Sequence, residues 1–84
     1  MLKEKRIGTT LIVIESKEEI HRLNTLISEF SYLIIGRQGI PLRENNKSII
    51  SLVLEGEEDQ IGALSGQIGR LNGITVKTAL VRRS

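Results

Sequence analysis

The chain has no cysteine and no tryptophan, and proline, phenylalanine, tyrosine, methionine and histidine occur once each. Each absence excludes something. Without cysteine there is no disulfide framework and no thiolate metal site. The lone His21 cannot build a protein metal site unaided. With only Phe30 and Tyr32 as aromatics, the chain lacks the stacking platform on which a sheet-based RNA binder splays its bases. No apolar run approaches the ~20 residues of a membrane span. The opening "MLKEKRIGTT" lacks the apolar core of a signal peptide. Neither sign of charge dominates: 12 basic against 10 acidic side chains leave +2, which favours solubility and is no nucleic-acid footprint by itself. The expectation is a cytoplasmic protein.

What is present is one small domain, residues 1–84. A chain of this size buries only roughly 60–65% of its unfolded surface. Such cores commonly gain stability by oligomerisation.

"IGTTLIVIE" (Ile7–Glu15) is short and rich in β-branched residues, so it reads as a strand. "SKEE" follows, and serine with glutamate three residues on is a capping box, with Ser16 as N-cap. Ile20, Leu23, Ile27 and Phe30 then recur at helical spacing. "YLIIGRQGIPLR" is a second, irregular strand, and "KSIISLVLE" (Lys47–Glu55) a third. "GEEDQ" places acids at a helix N-terminus. Ile61, Leu64, Ile68 and Leu71 form that helix's stripe, and Gly73 in "LNG" is its left-handed cap. "ITVKTALV" (Ile74–Val81) is the fourth strand.

The unit occurs twice. A shift of 41 carries Ile20, Leu23, Ile27 and Phe30 onto Ile61, Leu64, Ile68 and Leu71, and Leu33 and Ile35 onto Ile74 and Val76. A shift of 40 carries Val13, Ile14 and Glu15 onto Val53, Leu54 and Glu55. Two split βαβ units predict an α+β, ferredoxin-like βαββαβ fold. Its antiparallel sheet is expected in the order 4-1-3-2, with both helices on one face and the second strand at an edge. Alternation puts Val13, Ile49, Val53, Ala79 and Val81 on the other face. Lys3, Lys5, Arg6, Arg82 and Arg83 are expected to gather at one end of the sheet.

No nucleophile–base pair and no glycine-rich phosphate loop stands out, so the chain reads as no enzyme, with no cofactor and no metal. His21 reads as a solvated or capping side chain. Glu57, Glu58 and Asp59 read as helix-end charges. Two features ask for more. In "IGALSGQIGRL", Gly62, Gly66 and Gly69 share one side of the second helix, at a cost of about 1 kcal/mol each against alanine. They imply close packing, either on the sheet beneath or at an interface with a second subunit. In "IIGRQGIPLREN", glycines, a proline and two arginines crowd one strand. Natural edges carry such devices to block pairing, but one suffices. The excess points to a bent strand that presents Arg37 and Arg43 to carboxylate or phosphate groups, which suit a bidentate guanidinium. Ser16 and Lys17, where the first helix begins, complete the candidate ligand site. Glu18 and Glu19 in that turn would repel an anion.

"GRQGIPLRE", "SIISLVLEG" and above all "IGALSGQIGRLNG" resemble a family of small ACT-like proteins described as iron-only hydrogenase system regulators. The resemblance runs from about Arg6 to Val81. That family's fold is related to ACT regulatory domains and to the C-terminal domain of the nickel-responsive regulator, which bind small effectors or metal ions at subunit interfaces. The resemblance implies a regulatory, ligand-sensing homo-oligomer, a dimer or tetramer, with a small anionic effector or a protein partner. The loop "IESKEE" lacks the Asp and glycine of amino-acid-binding ACT domains. The nickel-responsive relatives use several histidines and a cysteine. No helix-turn-helix or ribbon-helix-helix segment is present, so binding of nucleic acid by this chain alone is not expected. A structural interaction module without ligand is the alternative, and a nucleic-acid binder using the basic end is a third reading.

Overall fold

Alternation decides the central strand. In β1 (Arg6–Ile14), Gly8, Thr10, Ile12 and Ile14 are buried, whereas Ile7, Thr9 and Leu11 are exposed. A period of two fits only a strand with one covered face. The structure, a computed structural model, describes residues 4–43 and 46–81. A 3-10 turn over Lys17–Glu19 leads into α1 (Ile20–Glu29). A second 3-10 turn, Ser31–Leu33, leads into β2 (Ile34–Pro41). Then come β3 (Ser48–Gly56), α2 (Glu58–Gly69) and β4 (Ile74–Leu80).

The sheet order is β2-β3-β1-β4, all antiparallel, which is the expected 4-1-3-2 order read from the other edge. Leu23 and Ile27 of α1 and Ile61, Leu64 and Ile68 of α2 close over Ile12, Ile14, Ile50, Leu52, Leu54 and Ile74 to form the core. Each fully buried aliphatic side chain contributes about 1.5–3 kcal/mol. Thr10 is the one buried polar residue among those described, and it is satisfied. Its hydroxyl meets that of Thr78 at 2.9 Å, and Thr78 donates to Ser65 Oγ of α2 at 2.9 Å.

Three local expectations change. The first helix does not start directly from Ser16. Ser16 Oγ accepts the Glu18 N–H at 3.2 Å, closing a 3-10 turn, and α1 follows from Ile20. The tight turn aims Glu19 away from Ser16, so the expected capping box does not close. Glu19 instead accepts the backbone N–H of Asn72, in the loop after α2. The capping box forms on α2, where Glu57 is N-cap and Gln60 returns to the Glu57 N–H at 3.1 Å. Third, the second strand is shorter than "YLIIGRQGIPLR". Leu33 is buried in the 3-10 turn and Arg43 lies past the strand's end.

Gly73 has φ = 75°, the left-handed value its capping role requires. Its carbonyl accepts the N–H groups of Glu15 and Ser16, at 2.8 and 3.1 Å. This ties the loop after β1 to the loop after α2.

Candidate functional site

β2 is an edge strand, and it is not regular. Ile34 lies across from Leu54, yet Gly36 lies across from Val53, so Ile35 is the extra residue of a bulge. The bulge sets the side on which every later residue of β2 points. Arg37 lies across from Leu52, a buried position on the helix-covered face. Gly36, Gln38 and Ile40 lie across from Val53, Ser51 and Ile49, on the open face. The equivalence of Ile35 with Val76 therefore fails: Val76 packs against the core, while Ile35 is exposed at the bulge.

Arg37, itself exposed, borders an open groove of about 430 Å³ together with Asn24, Ile27 and Ser28 of α1, Ser31 of the following turn and Ile34. The chemistry of this lining is uneven in a useful way. It has one guanidinium, two hydroxyls, one carboxamide and two aliphatic walls. No acidic side chain lines it. A guanidinium beside neutral hydrogen-bonding groups suits a carboxylate or phosphate oxygen. Asn24, Ser28 and Ser31 were not singled out from the sequence. Their spacing of four and three, beside the apolar stripe, was the available signal.

The other expected ligand residues stand apart. Arg43 is exposed, six residues beyond Arg37, a separation of up to roughly 20 Å along an extended chain. Pro41 and Ile14 both lie across from Ser48, so Arg43, Ser16 and Lys17 share the end of the sheet where β1 finishes. There the Ser16 hydroxyl is occupied by the Glu18 N–H, and Lys17 is exposed. Arg43 is not among the residues that border the Arg37 groove.

A second cleft, of about 490 Å³, lies between the helices and includes His21, Arg22, Glu29 and Arg70. Glu19 sits there 3.6 Å from Arg22. Two arginines against two glutamates leave it no net preference for an anion. The basic end is also partly spent, because Arg6 pairs with Glu58 at 2.5 Å. Lys3, Arg82 and Arg83 lie outside the described residues.

The glycines of α2 divide. A Cβ at Gly62 or Gly66 would meet nothing within 4 Å, so neither packs on the sheet beneath, contrary to that half of the expectation. Their side of the helix is the solvent side, because Ile61, Leu64 and Ile68 hold the core side. Gly69 does approach the sheet: a Cβ there would lie 3.6 Å from Val76. Among the described residues, no group of His, Cys, Asp and Glu could hold a metal ion. No described helix is long and apolar enough to cross a membrane.

Residues 6–78 match the model of the TM1266-like family, described as "Iron-only hydrogenase system regulator, putative". The chain belongs to this family. TM1266 of Thermotoga maritima has a solved structure that agrees with this one at a TM-score of 0.87, with 45% identity over 94% of this chain and 100% of that one. Two more distant structures share the fold. The C-terminal domain of the MgtC protein from Mycobacterium tuberculosis has a TM-score of 0.71 at 10% identity, over 96% of this chain and 93% of that one. A PII-like signaling protein of Thermus thermophilus has 0.58 at 15%, over 93% and 91%. No curated protein matches the sequence. The TM1266-like chain is thus an ACT-like, ferredoxin-like member of a regulator family.

Proposed function

We propose that this chain is a non-enzymatic regulatory module that senses a small anionic ligand in the groove beneath α1, with Arg37 as its anchor. The observation that carries the reading is the Arg37 lining, a cation among Asn24, Ser28 and Ser31 with no acid beside it. The family description supports regulation, as does the fold shared with a PII-like signaling protein. Arg43, Ser16 and Lys17 form at most a second, exposed contact at the sheet's end. The protein acts in the cytoplasm as a homo-oligomer, a dimer or tetramer, and passes its state to a protein partner. Direct nucleic-acid binding by this chain is no part of the reading.

The test is a thermal-shift series against small mono- and dicarboxylates and phosphate esters, with wild type and Arg37→Ala. At least one anion should raise the wild-type midpoint, and Arg37→Ala should abolish the rise. A series with no rise, or a rise that survives in Arg37→Ala, removes the ligand site. The reading without ligand, a structural interaction module, draws on the exposed apolar face of the sheet. It would be favoured if no anion binds while the protein still self-associates.

A further inference from the structure

The face of the sheet away from the helices carries a group of exposed apolar side chains. Ile7, Leu11 and Val53 are 41%, 45% and 41% exposed, and Ile40 and Val81 are exposed beside them. The register places them in rows. Thr9 sits at the centre of the face, with Ile7 and Leu11 on either side along β1, Val53 across from it on β3 and Ala79 across from it on β4.

Only two charged residues occupy strand positions on this face. Glu55 lies across from Ile7 on β3, and Lys77 lies across from Leu11 on β4. Both are exposed, and neither pairs with another described residue. They stand at opposite corners, two strands and four residues apart, about 10 Å across the sheet and about 13 Å along it. The midpoint between them is Thr9.

We infer that this face docks on the same face of a second copy, about a two-fold axis that passes over Thr9. The inference rests on the self-association proposed above and specifies its surface. A two-fold interface is self-complementary: if residue i meets j, then j meets i. The axis that bisects the line from Lys77 to Glu55 sets each Lys77 against the Glu55 of the other copy. Two ion pairs then flank a centre made of Ile7, Leu11, Val53 and Ala79. The same operation crosses the strands of the two sheets at roughly 70°, nearer the orthogonal than the aligned class of sheet packing. Thr9 can enter this centre without leaving a polar group unpaired, because its hydroxyl donates to the Leu52 carbonyl at 3.0 Å within its own chain. The opposite charges also specify against slipped arrangements, which would set Lys77 on Lys77 or Glu55 on apolar surface. Four short strands offer on the order of 500 Å² per copy, less than the ~800 Å² of a standard interface. The association is therefore reversible and depends on concentration.

Charge reversal tests the arrangement. Sedimentation equilibrium is run on wild type, Lys77→Glu, Glu55→Lys and the double variant, with circular dichroism confirming the fold of each. Each single variant sets like charges together at both corners and should weaken association roughly tenfold. The double variant rebuilds both pairs and should return to within about threefold of wild type. A monomer at every concentration would overturn self-association itself and leave the face to a different protein. Association that the single variants do not weaken, or that the double variant does not restore, would leave self-association standing and overturn this placement of the axis.

Discussion

Gly73 leans on Ser16. A Cβ at Gly73 would lie 2.5 Å from Ser16 Cβ, and the same glycine sits at φ = 75° while its carbonyl holds the Glu15 and Ser16 N–H groups. The contact joins the end of β1 to the end of α2, so it anchors the end of the sheet where α1 begins. Gly73→Ala meets both a steric and a conformational obstacle. It should cost roughly 1–3 kcal/mol and lower the melting temperature by about 4–8 °C per kcal/mol. A thermal melt within a degree of wild type would show that the two loops can separate freely.

The exposed glycines of α2 predict the opposite sign. Nothing stands within 4 Å of a Cβ at Gly66. Gly66→Ala should therefore stabilise the isolated chain by about 0.5–1 kcal/mol through helix propensity alone. Urea unfolding at a concentration low enough to keep the protein monomeric measures this. A loss of stability there would mean that another surface covers the glycine face. Gly66→Leu at higher concentration, followed by light scattering, reports whether a subunit docks on that face.

Glu19 bridges the two halves. It accepts the Asn72 N–H and sits 3.6 Å from Arg22. Glu19→Ala should cost about 1 kcal/mol, chiefly through the backbone N–H left without its partner. Arg22→Ala should cost less, since an exposed pair contributes well under ~1 kcal/mol. Comparable losses in the two variants, measured by denaturant unfolding, would show that the ion pair and not the loop contact carries the link.

Arg37 and Arg43 should separate in their effects. Arg37→Ala removes the cation from the groove and should abolish an anion-induced thermal shift, with stability changed by less than about 0.5 kcal/mol. Arg43→Ala should leave that shift in place, because Arg43 lies past the end of β2 and does not border the groove. Loss of the shift in both variants would return Arg43 to the site.

The architecture was legible because it is written in periods. Leu23, Ile27, Leu64 and Ile68 mark helices, and Thr10, Ile12, Ile14, Ile50, Leu52 and Leu54 mark strands, and all are buried. The repeat at 40–41 residues supplied the topology. The candidate site was only half legible. The oddity of "IIGRQGIPLREN" located Arg37, but its side of the sheet depends on where the bulge falls. Regular alternation from Ile34 would have turned Arg37 to the open face; the extra residue at Ile35 turns it to the helices. The glycines of α2 are consistent from sequence with packing on the sheet or with a subunit interface, and the structure removes only the sheet packing at Gly62 and Gly66. A Cβ at Gly69 would reach only ordinary contact with Val76, and one at Gly66 would meet open space within the chain.

The two halves of the chain share one pattern of apolar positions, and the groove lies where that pattern departs. Leu52 and Ile12 occupy matching places on the two inner strands; Arg37 lies across from one and Val76 across from the other. Ser28 and Gly69 match on the two helices by the shift of 41. In the second half, a Cβ at Gly69 would rest in ordinary contact with Val76, 3.6 Å away. In the first half, the same two places carry Arg37 and Ser28, and both border the open space beneath α1. The matched places are thus a contact in one half and the border of an open groove in the other. The repeat has therefore kept one topology in both halves while its packing between helix and sheet has diverged.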